Sequence, residues 1–341
     1  MTDHNKRIEA RAVNVQRRSL LAGAAAAGLG LTGAGRSFAQ ASAWPTKPVN
    51  LVVPFPAGGG TDAFARPLAA QFAKATGKTL VIDNRGGAGG TLGASIAAKA
   101  PGDGYTLFMG AVHHAIAPAV YPRLDYDLER DFVPLMLLAN VPQVLVVNPQ
   151  RVKAAGYREF IELAKKNPGR LNYASAGAGT SHHLAGELFK LQTGVFITHI
   201  PYRGAGPALQ DLIAGNVDLM FDGLGSSAQH IKAGRIKALL VSGARRNPAF
   251  PDVPCAAEVG LPDYTVTTWY GLWAPKGTPA DVQTRAIDAT RKAMAADDLR
   301  GIWAANGSEI PDVTAAAFGG FVNAEIRRWA TVVKASGTKL D

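Results

Sequence analysis

Apolar runs of strand length alternate with helix-patterned segments along most of this 341-residue chain, and that alternation admits few folds. The runs at 51–54, 79–83, 105–110, 144–148, 171–175, 196–200, 217–222 and 237–242 are mostly continuous rather than alternating in polarity. Continuous apolar strands belong in parallel sheets covered on both faces. Between them, 61–75, 157–166, 181–192, 207–214 and 226–233 carry helical periodicity. Strand and helix in turn define an α/β protein. The end of the chain departs from this rhythm, with one long strand at 265–274 and helices at 279–296, 298–305 and 315–335. That is more helix than one small sheet can seat. We therefore expect two lobes, 44–142 with 266–341 as the first and 143–265 inserted as the second. Strands near 143–148 and 265–274 would cross between them as a hinge.

Residues 1–43 read as an export signal. Arg11, Arg17 and Arg18 form a basic stretch, an uncharged run follows from Leu20 to about Leu31, and small residues end in Ala39-Gln40-Ala41-Ser42-Ala43. The apolar run is too short for a membrane span, which takes roughly 20 residues. Arg17-Arg18 before Ser19-Leu20-Leu21 resembles a twin-arginine signal. Cleavage near 39–43 would leave a soluble periplasmic protein, expected to act as a monomer. Its single cysteine, Cys255, allows no internal disulfide, and no disulfide-linked partner is expected. The signal carries six basic and two acidic residues, which leaves +6 of the chain's +10 net charge on the mature protein. That charge is dispersed, so nothing marks a nucleic-acid partner, while a mild positive field suits anionic ligands.

Two glycine-rich segments sit where a strand gives way to a helix. The first is Pro54-Phe55-Pro56-Ala57-Gly58-Gly59-Gly60-Thr61-Asp62, and the second is Gly177-Ala178-Gly179-Thr180-Ser181-His182-His183. The first N–H groups of a helix have no partner within it, and the dipole makes that end positive. Thr180 or Ser181 can cap its helix or donate to a carboxylate. In open α/β sheets ligands bind beyond the carboxyl ends of the strands, where both loops lie, one in each expected lobe. A third glycine-rich loop, Asn84 to Thr91, reads first as a tight turn. Of the adjacent His113 and His114, one at most should face the cleft. Asp222, ending a strand before Gly223, would accept a hydrogen bond from a ligand hydroxyl or ammonium, or else simply make a turn. The histidine pairs lack metal-ligand spacing, and no metal or cofactor is expected.

The motifs resemble, in order over nearly the whole mature chain, those of the tripartite tricarboxylate transporter substrate-binding proteins, also called Bug receptors. They are Pro54-Phe55-Pro56-Ala57-Gly58-Gly59 with Asp62 and Arg66, Asn84 to Gly90, Asp103-Gly104-Tyr105-Thr106, and Gly177-Ala178-Gly179-Thr180 with His183-Leu184. Further on come Pro201-Tyr202-Arg203-Gly204, Phe250 to Pro254 with Glu258 and Gly260, and Trp269-Tyr270-Gly271-Leu272 before Ala274-Pro275. The resemblance implies a two-lobed periplasmic-binding-protein-like (type II) fold, each lobe a mostly parallel sheet flanked by helices. It also implies a ligand carboxylate held between the lobes, with Phe55, Ala57, Gly58, Gly59, Thr180 and His183 at matching positions. Gly179, Ser181, Asp62, His113 and Asp222 complete the expected site. The ligand would be a small organic carboxylate: a dicarboxylate, tricarboxylate, aromatic acid or amino acid. Delivery would be to a tripartite tricarboxylate-type membrane permease.

The rival reading is an exported α/β enzyme, an oxidoreductase or hydrolase of small organic acids. The first loop does not spell G-x-G-x-x-G, since Ala63 holds the third glycine position, and neither G-x-x-x-x-G-K-[ST] nor G-x-S-x-G occurs.

Overall fold

The structure, a computed structural model, describes residues 44–336; the signal reading of residues 1–43 lies outside them. Strands β1 (Val49–Val53), β2 (Leu80–Asn84) and β3 (Thr106–Ala111) pair in parallel, as do β5 (Asn172–Ser175), β6 (Thr198–Pro201) and β7 (Leu219–Gly223). Two long strands join these triples. They are β4 (Phe132–Val147) and β9 (Thr267–Pro275), antiparallel to each other and to their neighbours. The order is β2-β1-β3-β9-β4-β7-β5-β6, with β8 (Lys237–Val241) also on β4. The fold is thus α/β and mixed, with parallel pairing confined to the outer strands.

β4 is longer than the apolar run at 144–148 indicates. Pro134, Asn140 and Pro142 interrupt its polarity pattern, yet it stays paired from Phe132 onward because register shifts absorb the irregularities at 134–136 and 137–139. Its first part, 132–142, lies against β9, and its last part, 143–147, lies between β7 and β8. One strand therefore serves both halves of the sheet.

Side-chain alternation divides the core into two layers. Val49, Leu51 and Val53 of β1 pack with Phe64, Leu68 and Phe72 of α1 (Gly60–Thr76). Val52, between them, packs on the other face with Phe108 and with Ala94 and Ala97 of α2 (Thr91–Ala98). The helices that follow are α3 (Val112–Val120), α4 (Tyr157–Lys166), α5 (Ser181–Thr193), α6 (Ala205–Ala214), α7 (Leu224–Lys232), α8 (Ala280–Met294), α9 (Asp297–Ala305) and α10 (Ala315–Ser336). α10 lays Phe318, Val322 and Trp329 onto the layer holding Trp269 and Trp273 of β9. Its buried Glu325 accepts hydrogen bonds from the indoles of Trp269 (2.8 Å) and Trp329 (3.2 Å). These bonds meet the need of a carboxylate removed from water. Among the described residues no helix is long and apolar enough to cross a membrane.

What positions the site is the direction of the parallel strands. α1, α3, α5, α6 and α7 each begin at or soon after the carboxyl end of β1, β3, β5, β6 or β7.

Candidate binding site

The loop between β1 and α1 is fixed by one carboxylate. Gly58 turns through φ +82°, a conformation that costs glycine little. Its N–H donates to Asp62 Oδ2 at 3.0 Å. Arg66 grips both oxygens of Asp62 (2.7 and 2.9 Å), and the Asn84 amide bridges Asp62 Oδ1 (3.2 Å) and the Phe55 carbonyl (2.9 Å). Asp62 is buried and faces protein donors on every side. It braces the loop, and Gly59 is left as the N-cap of α1 with extended backbone.

The loop between β5 and α5 is braced in the same way. Thr180 Oγ1 donates to the Gly177 carbonyl at 2.7 Å, and the Gly179 N–H donates to His183 Nδ1 at 3.1 Å. The His183 ring lies flat on His199 at 4.0 Å, and His199 Nε2 meets Ser175 Oγ at 2.7 Å. The second loop meets the third glycine loop through Tyr121, whose hydroxyl proton is shared between the Ala88 carbonyl (3.0 Å) and the Ala178 carbonyl (3.2 Å). The glycine loop 84–91 therefore abuts the second loop and makes part of the same contact.

Between these braces lies a cavity lined by Phe55, Gly59, Gly60, Thr61, His113, Ala176, His182, Ala205 and Tyr270. Gly60 and Thr61 open α1, His113 is the second residue of α3, His182 the second of α5, and Ala205 the first of α6. Four helix N-termini thus converge on one point, each with N–H groups that lack an intrahelical partner and a partial positive charge of about half a unit. No lysine, arginine, aspartate or glutamate lines the cavity. Its volume is about 10 Å³, room for about one water molecule. Surface grooves of about 610, 480, 200 and 150 Å³ are larger; none is bounded by the first or second loop, and the one of about 200 Å³ reaches Ala88 and Thr91 of the third.

The histidines divide by role. His114 accepts from the Ala111 N–H through Nδ1 (3.0 Å) and reaches the Gly90 carbonyl through Nε2 (3.3 Å), tying α3 to the third glycine loop. Burial pushes it down to about 4. His113 stands with its ring against the edge of Phe55 at 5.0 Å. Its Nδ1 accepts from the Ser181 N–H at 3.1 Å, so the neutral ring carries its proton on Nε2. His182 lies 5.6 Å from His113, ring centre to ring centre, with Nδ1 3.6 Å from Asp222 Oδ1. Burial holds His113 and His182 below the ordinary histidine value, His113 further through its histidine neighbours and His182 against the pull of Asp222. Asp222 is fully buried, and its Oδ2 accepts from Ser226 (2.7 Å) and Ser227 (2.5 Å).

Of the residues expected from the sequence, the structure brings Phe55, Gly59 and His113 to the cavity wall. It sets Ser181 and Asp222 directly behind the histidines. Ala57 and Gly58 are exposed at the outer edge of the first loop. Asp62, Gly179, Thr180 and His183 spend their polar groups on holding the loops in shape. Sequence reasoning passed over His182, Ala205 and Tyr270. For His182 a signal existed, since two histidines open one helix, but spacing alone does not tell which of them turns inward.

Comparison with known proteins adds identity to this geometry. The family model described as "Tripartite tricarboxylate transporter family receptor" matches residues 64–338. A protein of Pseudomonas sp. (strain P51), named for the tcbD-tcbE intergenic region, is 41% identical over 327 residues, 94% of each chain. Protein BugT of Bordetella pertussis is 36% identical over 303 residues, 88% of this chain and 93% of its own. Among solved structures, the periplasmic binding protein BugD matches with a TM-score of 0.84 at 34% identity, covering 87% of this chain and 100% of its own. An R. palustris protein solved with adipate matches at 0.83 and 38%, over 87% of this chain and 100% of its own. MatC from Rhodopseudomonas palustris, with bound malate, matches at 0.80 and 36%, over 85% of this chain and 100% of its own. The fold is that of the periplasmic binding proteins, and the matching family is one of receptors. The chain belongs to the tripartite tricarboxylate transporter receptor family.

Proposed function

We propose that this chain is an exported, monomeric receptor that binds a small carboxylate where the four helix N-termini meet and closes over it. The convergence of those termini on a cavity without fixed charge carries the reading. Each terminus contributes about 0.3–2 kcal/mol toward an anion, and each hydrogen bond to a charged acceptor about 1.5–3 kcal/mol. Several of them, less the cost of ordering the ligand, give micromolar binding or better. The solved relatives with adipate and malate support a carboxylate as the ligand class.

The cavity of about 10 Å³ is far smaller than either acid, so the loops part to admit a ligand and the present arrangement is the closed one. Residues 44–142 with 266–341 move against 143–265, and the bending falls where β4 and β9 pass from one group of strands to the other. The closed form is what a tripartite tricarboxylate-type permease reads. A thermal-shift screen of mono-, di- and tricarboxylates, aromatic acids and amino acids tests the reading, and at least one carboxylate should raise the melting temperature. A screen in which none does, while one is turned over, favours the enzyme instead.

A further inference from the structure

The site described above has an unbalanced charge. Its wall offers dipoles but no lysine or arginine, and directly behind the wall stands a buried carboxylate, Asp222. An incoming anion would meet that charge across a medium of low dielectric, where repulsion amounts to several kcal/mol. A positive charge gained on binding would offset that repulsion. Four titratable groups face the cavity or its back wall: His113 on α3, His182 on α5, Asp222 on β7 and Tyr270 on β9. Further along α5 lie His183, Glu187 and Lys190, which pair among themselves, and beyond Asp222 on α7 lies His230.

Three of the four offer no cation, or offer one only at the loss of a bond. Tyr270 is already protonated, and burial beside Asp222 pushes its phenol further up. His113 would have to protonate Nδ1, which would break the bond it accepts from the Ser181 N–H. Asp222 is an acid, and a proton on it would leave a neutral group that adds no positive charge. His182 differs from these. Its Nδ1 and Asp222 Oδ1 are both buried and without a hydrogen-bond partner, 3.6 Å apart. A proton on Nδ1 faces Asp222, and the ring still lines the cavity.

Resting on the carboxylate reading of the site, we propose that His182 supplies the missing charge. On ligand binding it takes up one proton from solvent at Nε2 while Asp222 holds the proton on Nδ1. The ligand then meets an imidazolium whose charge Asp222 balances, and no other bond forms or breaks. Burial keeps the ring neutral until an anion arrives, which makes the uptake conditional on binding. Affinity then weakens as the pH rises, by up to about tenfold per unit where only the bound form holds the proton.

Titration calorimetry with malate and with adipate, at neutral pH in phosphate and in Tris, tests this. The difference in observed heat, divided by the difference in buffer ionisation heat, counts protons. The wild type should take up close to one proton per ligand, His230→Gln, outside the cavity, should take up as many, and His182→Gln none. Binding without uptake in the wild type, or uptake that survives in His182→Gln, overturns the assignment and leaves the carboxylate site standing. If neither acid binds the wild type, the carboxylate reading falls and this inference falls with it.

Discussion

Gly206, at the start of α6, packs so tightly on the first glycine loop that a Cβ added there would lie 2.7 Å from the Ala57 carbonyl oxygen. This contact joins residues 149 positions apart in the chain, and it exists only while the loops are together. Gly206→Ala should therefore hold them apart. Overpacking of this kind costs about 1–3 kcal/mol, so carboxylate affinity should fall roughly 10- to 100-fold with little loss of thermal stability. Small-angle scattering should show that saturating ligand compacts the wild type and not the variant.

Tyr121 makes the complementary case. Its hydroxyl joins the Ala88 and Ala178 carbonyls, one on either side of the contact between loops. Tyr121→Phe keeps the ring and removes the one donor proton that the two carbonyls share, worth about 0.5–1.5 kcal/mol net. We expect weaker binding by about 2- to 10-fold, expressed as faster dissociation in stopped-flow measurements. An unchanged dissociation rate would remove Tyr121 from the closing contact.

Asp62 separates bracing from ligand contact. It accepts from Gly58, Arg66 and Asn84, and a charged acceptor lost from such a position costs about 1.5–3 kcal/mol. The exposed Arg66 side of the network adds little to that sum. Asp62→Ala should lower the denaturation midpoint measurably, and its affinity for different carboxylates should fall by a common factor. A change in preference among ligands would mean that Asp62 touches them.

Acid should destabilise the protein through histidines held neutral. His114 is buried and pushed down to about 4, against about 6.5 in an unfolded chain. Above about 6.5 both states are neutral and the full stability is present. As the pH falls from about 6.5 to 4 the unfolded chain takes up the proton and the native state does not, so stability is lost, by about 3 kcal/mol from this residue. Urea titrations across that range should show the loss, and His114→Asn should start lower and have a shallower acid limb.

Much of this was legible in the chain. The strand runs and the helix start at Gly60 follow from local patterns, and the first glycine loop stands where a helix N-terminus meets a strand end. His113 was legible as a residue after β3. What spacing could not show is phase and tertiary convergence. His182 and His183 differ by one position on α5, and only the stacking of His183 on His199 and its bond to Gly179 turn His182 inward. Ala205 and Gly206 carry no local signal of a site, because their part depends on where α6 lands against a loop almost 150 residues earlier. The first part of β4 was hidden because two prolines mask a strand whose pairing survives through register shifts.

A carboxylate seated on the N-terminus of α1 would rest against Gly59, where a side chain would displace it. A Cβ fits there, with its nearest neighbour at 3.6 Å, and the backbone at φ −86° is one that valine accepts. The added γ-carbons of Gly59→Val would fill the cavity and leave the fold alone. Calorimetric titration of malate and adipate into wild type and variant should show binding in the first and none in the second, at equal melting temperatures. Equal affinity in the two proteins would contradict the account.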